Sequence, residues 1–448
     1  MENETKREKA RRLSAILLLG LFGQIAWAIE NNYINLWVFS QSHNTDHIAW
    51  MTTGSAIVAT LTTFFVGALS DHLGKRKPFI AGGYSIWGIF VFLFGVMSLS
   101  NMEVLGGSRA TGLILVGVMN LVVDCVMTFF GSSANDACFN AFVTEATSKE
   151  ERPFLETLLS VMPLLSLAIM MLAGLILGIP DASKSEAEIA GPWFVFFLIF
   201  GALTTLVGIV SFFLLPKDTI APSRKEGYFS HMVSGFKPSS VKANPSFYIA
   251  LLSFLCFNVA VDAFLPYFMV YFQNLPSFGG GNFYVALGSI MGAASLLVIL
   301  LGAFLERIGK RKVLVPAVLL MGVGAIGLYF SGDNLGLSIA LGILLIGGYL
   351  VGTASLGAEI RDQTPAGDVG AYQSVRMVFA VMLPMVIGSN LSALVFDSTY
   401  VNDFGETVKA PDRNMWIVVA IAALLTLAPI LWLILRDYKA AKRAEKGS

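Results

Sequence analysis

The stretches GALSDHLGKRK at residues 67–77 and GAFLERIGKRK at residues 302–312 are two copies of one basic turn. Six of the eleven letters are identical, and an acid stands at the fifth position of each copy. The copies lie 235 residues apart in a chain of 448 residues. A repeat at this spacing predicts that the chain is an internal duplication of one larger unit.

The composition predicts a helical membrane protein. The chain is 55% hydrophobic and 13% charged, whereas soluble domains are about a quarter charged. Its mean hydropathy is +0.71. The apolar residues form runs, such as residues 14–39 and 192–215, that are long enough to cross a hydrocarbon core of about 30 Å as a helix. The lipid bilayer is therefore an expected partner, and the fold class is all-α.

Twelve such runs divide the chain into two pseudo-symmetric six-helix halves. We number them spans 1 to 12, at roughly 14–39, 48–70, 78–99, 110–134, 154–178, 192–215, 245–273, 283–305, 313–330, 336–358, 370–396 and 414–435. The halves are residues 1–215 and 245–448, and the polar, basic stretch 216–244 is a linker loop between them. Both basic turns lie between the second and third span of their own half.

The basic residues set the orientation. Of the 30 Lys and Arg residues, 25 fall in the termini and in the loops on one side of the predicted spans. The loops of the other side hold Arg109, Lys184, Lys409 and Arg413. The positive-inside rule predicts that both termini and the linker are cytoplasmic, in a plasma membrane or a bacterial inner membrane.

Other pairs of stretches support the duplication. AIENNYINL at 28–36 corresponds to AVDAFLPYF at 260–268, which sets Glu30 opposite Asp262. AFVTEATSKEERP at 141–153 corresponds to AEIRDQTPAGDVG at 358–370, and we read Glu145 and Asp362 there as gate charges, with a solvated loop as the alternative. Two six-helix halves around a midplane cavity are typical of a rocking transporter.

The basic turn resembles the loop signature of the major facilitator superfamily, which implies that fold. Its glycines allow close helix approach, and its acid can meet basic side chains and a helix N-terminus, so we expect a cytoplasmic latch. Simple positive-inside anchoring is the alternative. The expected gating residues are Gly67, Asp71, Gly74, Lys75 and Arg76 in the first half, and Gly302, Glu306, Gly309, Lys310 and Arg311 in the second.

Three further patches resemble a subfamily. KRKPFIAGG at 75–83, the acid of AIENNY in span 1 and TEATSKEERPFLETLLS at 144–160 are similar to the glycoside–pentoside–hexuronide:cation symporters and to related proton-coupled sucrose and sugar carriers. This resemblance implies cation-driven sugar uptake.

The acids inside the spans, Glu30, Asp124 and Asp262, are candidates for cation coupling. Glu30, Asp124, Asp262 and Arg376 each cost about 2.5–3.5 kcal/mol at a helix centre. Arg376 can neutralise one acid. For Asp262, pairing with Arg376 and cation coupling are equally good explanations. Low polarity favours the protonated form of the remaining acids, so they can carry H⁺. Coordination of Na⁺ and interhelical hydrogen bonds are the alternatives.

Polar and aromatic residues near these charges suit a hydroxyl-rich substrate, because sugars need several hydrogen bonds and an aromatic plane. Trp27 is the preferred stacking platform, with core packing as its alternative. The expected substrate contacts are Gln24, Trp27, Asn31, Asn35, Asn120, Asn258, Tyr372, Gln373 and Arg376. Asn and Gln also join helices to each other, so some of these residues serve the fold.

The leading hypothesis is a secondary active transporter that moves a sugar or glycoside by H⁺ symport. No P-loop, metal-ligand cluster or dinucleotide fingerprint is present in the sequence, so we expect no enzyme activity, no metal, no cofactor and no nucleic-acid partner. The alternatives are an exporter or antiporter of amphipathic compounds, a lysolipid carrier with Arg376 at the headgroup, and a non-transporting sensor. A monomer is expected for this fold.

Overall fold

The computed structural model describes residues 5–147, 152–179, 185–218, 234–308, 310–364, 369–401 and 407–447. Within these ranges it confirms twelve apolar helices long enough to cross a membrane. Spans 1 to 12 are Lys6–Ser42, Thr45–Leu73, Lys77–Phe94, Arg109–Ala146, Leu158–Leu177, Ala187–Leu214, Pro245–Gln273, Gly281–Val298, Arg311–Ser331, Leu335–Gln363, Ser374–Val395 and Met415–Arg436. The fold class predicted from the sequence is therefore confirmed.

Several helices extend beyond these apolar cores, and short elements join them. The helices of spans 5, 6, 8, 9 and 12 run over Arg152–Leu177, Glu186–Leu214, Gly281–Ile308, Lys310–Ser331 and Met415–Gly447. The connections include the helices Leu99–Gly106 and Pro238–Ala243, a 3₁₀ turn at Pro276–Phe278, and a two-stranded sheet of Thr399–Val401 and Thr407–Lys409. A surface helix in the linker 216–244 was expected from the sequence, whereas the other short elements were not.

The chain divides into two compact units. The first consists of Met1–Glu226 and Val401–Glu406, and the second of Gly227–Tyr400 and Thr407–Ser448. Each unit contains helices that pack tightly through glycine. In the first, a Cβ added at Gly88 of span 3 would lie 2.5 Å from the Gly201 carbonyl of span 6. In the second, a Cβ at Gly348 of span 10 would lie 2.5 Å from the Ala317 carbonyl of span 9. Small residues of this kind let membrane helices approach closely.

Three spans change from α-helix to π-helix partway along their length. The π-helical segments are Ile29–Ile34 in span 1, Ser132–Phe139 in span 4 and Val378–Met382 in span 11. Such segments occur often at functional sites. The first contains Glu30, and the third begins two residues after Arg376. Two of the ionisable residues identified from the sequence thus lie at irregular turns.

Asparagine side chains stabilise the irregular turn in span 1. Asn31 Nδ2 donates to the Trp27 carbonyl at 2.9 Å, and Asn35 Nδ2 donates to the Asn31 carbonyl at 3.0 Å. Asn32 makes the same kind of bond to the Ala28 carbonyl at 3.1 Å. A side chain that bonds to the carbonyl four residues earlier competes with the α-helical pattern, so the asparagine-rich sequence accounts for the wider turn.

Candidate functional site

A buried acidic cluster joins spans 1 and 4 inside the first unit. Thr128 Oγ1 donates a hydrogen bond of 2.9 Å to Glu30 Oε1. Asp124 lies one turn before Thr128, and its charge acts on the Glu30 carboxyl. Glu30 is 7% exposed and Asp124 is 1% exposed. The structure therefore brings together two of the three acids that the sequence proposed for coupling.

Three oxygens of this cluster have no hydrogen-bond donor within the described part of the chain. They are Glu30 Oε2, Asn120 Oδ1 and Asp124 Oδ1, and all three are buried. Asn120, Asp124 and Thr128 follow each other at intervals of four residues, so they lie on one face of span 4. Because buried polar atoms are normally hydrogen-bonded, this group of acceptors needs an outside donor or a cation.

The carboxyls of the cluster have no ion-pair partner among the described residues. Arg76 and Arg109 of the first unit pair with other acids, namely Asp71, Glu145 and Glu103. The half-buried Asp136, in the π-helical segment of span 4, also acts on Glu30. No group of three or more His, Cys, Asp or Glu side chains suited to a metal ion occurs in the described ranges.

An aromatic and amide network in the first unit involves Trp27. Trp27 Nε1 donates to Asn135 Oδ1 at 3.3 Å, and Asn135 Nδ2 donates to the Tyr84 hydroxyl at 2.6 Å. Tyr84 in turn donates to the Leu19 carbonyl at 2.8 Å. The Trp27 ring meets Trp87 edge-on at 4.9 Å between ring centroids. Trp27 is half-buried, so part of its indole ring is accessible.

The other amides proposed from the first half have varied roles. Asn31, Asn35 and Asn120 each donate to a carbonyl of their own helix, the last to Val116 at 2.7 Å. Their amide oxygens are the atoms that remain to face a substrate or another helix. Gln24 is half-buried, one turn before Ala28.

Asp262 occupies the corresponding place in the second unit. It is half-buried in span 7, and its charge acts on Tyr349 of span 10. Asn258, one turn earlier, donates from Nδ2 to the Ala380 carbonyl at 2.6 Å. Ala380 belongs to the π-helical segment of span 11, so Asn258 joins spans 7 and 11 at that irregular turn.

Arg376 does not pair with Asp262 in the structure. The guanidinium is half-buried in span 11, and the charge acting on it is the like charge of Arg361, near the end of span 10. The pairing that the sequence left open for Asp262 is therefore absent among the described residues. Desolvation of an unpaired guanidinium is costly, which makes Arg376 a candidate binding residue.

Tyr372 and Gln373 lie at the start of span 11. The Tyr372 hydroxyl accepts a hydrogen bond of 2.6 Å from Asn244 Nδ2, just before span 7, and its ring packs edge-on against Phe247. Tyr372 is 6% exposed and thus holds the ends of spans 7 and 11 together. The side chain of Gln373 lies outside the described residues.

The first basic turn forms an ion-pair network. Arg76 is 4% exposed and donates to Asp71, to Ser70 Oγ and, at 2.9 Å, to Glu145 Oε1 of span 4. Burial lowers the pKa of Arg76, but its bonds and charge pairs with Glu145 and Asp71 outweigh this and hold the pKa above its usual value. Arg76 thus joins spans 2, 3 and 4.

The remaining gating residues of the first turn shape its backbone. Gly74 ends span 2 with a φ of 62°, a left-handed conformation that glycine adopts without strain. Gly67 lies opposite Ala137 of span 4, with 3.9 Å between an added Cβ and the Ala137 Cβ. Lys75 is exposed. These positions agree with a turn that holds helices close together.

The second basic turn uses a partner that the sequence did not single out. Arg311 donates to Glu359 Oε1 of span 10, from Nε at 2.9 Å and from Nη2 at 2.5 Å. Glu359 also accepts from Gln363 at 3.1 Å. Asp362, chosen by aligning letters with Glu145, is exposed at the end of the helix. Gly309, the surroundings of Gly302 and the side chains of Glu306 and Lys310 lie outside what the structure describes.

Twelve apolar helices in two units, with buried ionisable residues in the spans, define a membrane transport protein. The chain belongs to the Major Facilitator Superfamily, because the model of that family matches residues 16–389. The protein is therefore a transporter of this superfamily. No curated protein matches the chain.

Solved structures share the fold. A mutant form of the nucleoside transporter NupG aligns with a TM-score of 0.69 and 11% identity, over 94% of this chain and 98% of that one. The xylose transporter XylE from E. coli gives 0.63 and 11%, over 92% and 96%. A bacterial homologue of the human lysosomal transporter Spinster gives 0.61 and 14%, over 96% of each chain. At these identities the likeness concerns the fold.

Proposed function

We propose that the protein is a symporter that couples H⁺ to the movement of a sugar or glycoside by alternating access, with both termini in the cytoplasm. The observation that carries this proposal is the group of buried oxygens without donors at Glu30, Asp124 and Asn120. A carboxyl that gains a proton becomes a hydrogen-bond donor, so protonation can satisfy such a group from within.

The two carboxyls of the cluster suit a proton that is bound and released once in each cycle. Ionisation of both Glu30 and Asp124 would place two like charges in a buried site, which is unfavourable. Opening to water on either side would lower that penalty and let one carboxyl ionise. Thr128 holds Glu30 Oε1 in place, so the carboxyl keeps its position while its charge changes.

Coupling to H⁺ is favoured over coupling to Na⁺ by the donor set. Hard cations such as Na⁺ are best held by several oxygens that converge on one point. In the described part of the chain, Asp124 and Asn120 each present one unsatisfied oxygen on span 4, and Glu30 presents one from span 1. A proton needs only one acceptor, so either carboxyl can bind it without a convergent set of oxygens.

A hydroxyl-rich ring is the substrate that the polar and aromatic side chains support best. Trp27 offers a partly accessible indole beside the Asn135 and Tyr84 network. Stacking on an indole together with amide hydrogen bonds is a recognised way to bind such rings. Structures described as nucleoside and xylose transporters are among those that share the fold.

The test is transport by purified protein in liposomes that contain a pH-sensitive dye. A panel of mono- and disaccharides is added without an imposed gradient, in the presence and the absence of Na⁺. We expect one class of sugar to acidify the interior without Na⁺, and we expect Glu30→Gln and Asp124→Asn to abolish acidification while substrate exchange persists.

Asp46→Asn is the matched control, because Asp46 is an exposed acid at the start of span 2. We expect this variant to behave as the unmodified protein does. Sugar transport that requires Na⁺ would overturn H⁺ coupling, and the absence of sugar transport under every condition would overturn the symporter proposal as a whole.

A further inference from the structure

Arg376 is an unusual residue for a membrane span. It lies in the helix Val369–Met377, whose continuation is the π-helical segment Val378–Met382. The side chain is half-buried. A guanidinium stays charged in a protein, so it cannot adapt to low polarity by losing its proton. A partner with negative charge is therefore expected.

Every other buried or half-buried arginine in the described ranges has an oxygen partner or a salt bridge. Arg76 and Arg311 pair with acids of span 4 and span 10. Arg12 donates to the Ala146 carbonyl, Arg109 donates to Glu103 Oε1, and Arg436 donates to Ser246 Oγ. Arg376 alone among them makes no such bond within the described part of the chain. The fold pairs its arginines as a rule, so this exception points to a partner from outside.

The described charge that acts on Arg376 is another positive charge. It belongs to Arg361, which is exposed near the end of span 10. Glu359, the acid nearest to Arg361 in sequence on the N-terminal side, has its Oε1 bonded to Arg311 and to Gln363. Like charges repel each other, and an anion bound beside Arg376 would relieve that repulsion.

We propose that Arg376 binds an anionic group, a carboxylate or a phosphate, on the transported substrate, and that the positive charge of Arg361 strengthens the attraction of this group. The planar guanidinium can donate two parallel hydrogen bonds to either group. The proposal deepens the proposed function, on which it rests for the transport of a sugar. It narrows the substrate class to sugar acids, sugar phosphates or molecules with an equivalent anionic headgroup.

The test compares substrates that differ at one carbon. Methyl glucuronide has a carboxylate where methyl glucoside has a hydroxymethyl group. Glucose 6-phosphate tests a phosphate at the same carbon. Counterflow into proteoliposomes gives kcat/KM for each. We expect the anionic substrates to exceed the glucoside by about 10-fold or more, which corresponds to about 1.4 kcal/mol. Arg376→Gln should remove this preference, and Arg376→Lys should retain part of it.

Arg413→Gln serves as the matched control, because Arg413 is an exposed arginine that lies over the Tyr329 ring. It should leave the preference unchanged. Equal transport of glucuronide and glucoside by the unmodified protein would overturn the anion site. So would a loss of both activities in parallel in Arg376→Lys and Arg376→Gln, provided both variants fold, as judged by size-exclusion chromatography.

A lysophospholipid arm separates the two proposals. If no sugar of either kind moves but lysophosphatidylglycerol is transported, and Arg376→Gln stops that transport, the anion site stands and the sugar symporter proposal fails. If a neutral sugar moves with H⁺ and Arg376→Gln leaves it unchanged while no anion is transported, the symporter proposal stands and the anion site fails.

Discussion

The two units repeat one scaffold but contain different buried charges. In the first, Glu30 and Asp124 lie together and lack an ion-pair partner among the described residues. In the second, Asp262 and Arg376 lie on spans 7 and 11 without contacting each other. The two units thus both contain apolar helices and a basic turn but differ in their buried charges. From this difference we infer that the coupling ion binds in the first unit and an anionic group in the second.

The two latches differ as well. Arg76 pairs with Asp71 and Glu145, whose side chains are 33% and 37% exposed. Arg311 pairs with Glu359, whose side chain is 7% exposed. The first latch therefore surrounds a buried base with accessible acids, and the second covers a buried acid with a base. The loss of stability on removing either arginine therefore depends on whether its partner acid is buried or accessible to water.

The largest effect on stability is expected for Arg311→Gln, because it leaves the Glu359 carboxylate buried and unpaired. We expect a loss of about 3–5 kcal/mol in the free energy of unfolding. Arg76→Gln should cost less, about 1–3 kcal/mol, because its two acids can be solvated. Chemical unfolding in detergent, followed by tryptophan fluorescence, measures both. Equal losses, or a larger loss for Arg76→Gln, would refute the stated difference between the latches.

The two units should lose similar amounts of unfolding free energy when a glycine between tightly packed helices is replaced. Gly88→Ala places a Cβ within 2.6 Å of the backbone atoms Thr205 N and Gly201 O. Gly348→Ala places a Cβ within 2.6 Å of Ala317 O and Met321 N. We expect each to cost about 1–3 kcal/mol. Gly82→Ala and Gly322→Ala are the controls, because an added Cβ there meets nothing within 4 Å. A loss in only one unit would show that the scaffolds are not equivalent.

The smallest loss of stability is expected when a single interhelical hydroxyl is removed. Thr128→Val removes the bond to Glu30, and Ser392→Ala removes the bond from span 11 to the Ala263 carbonyl of span 7. Each should cost about 1 kcal/mol in unfolding free energy. Only Thr128→Val should also weaken substrate-dependent acidification in liposomes, and Thr128→Ser should restore it. If Ser392→Ala weakened acidification equally, the division of roles between the units would not hold.

Much of the fold could be predicted from the sequence. Apolar runs indicate helices that cross a membrane, and the repeated stretches indicate two similar halves. Hydropathy reports length, not helix type, so the π-helical segments could not be foreseen. The asparagines at 31, 32 and 35 were the available signal for the one in span 1.

The site was predictable as a set of residues, but the partners of those residues were not. Glu30 and Asp124 stand out as acids in apolar helices, whereas their proximity depends on how spans 1 and 4 rotate. Letter alignment selected Asp362, but the helix places Glu359 toward Arg311, three residues earlier. The rotation of a helix about its axis decides such pairings, and sequence spacing alone does not fix it.

The central claim is that the coupling proton binds in the first unit. The most direct measurement is proton uptake by the purified protein in weakly buffered detergent when substrate is added, compared among the unmodified protein, Glu30→Gln, Asp124→Asn and Asp262→Asn. We predict proton uptake by the unmodified protein and by Asp262→Asn, and none by Glu30→Gln or Asp124→Asn. Uptake that persists in Glu30→Gln and Asp124→Asn but is lost in Asp262→Asn would contradict it.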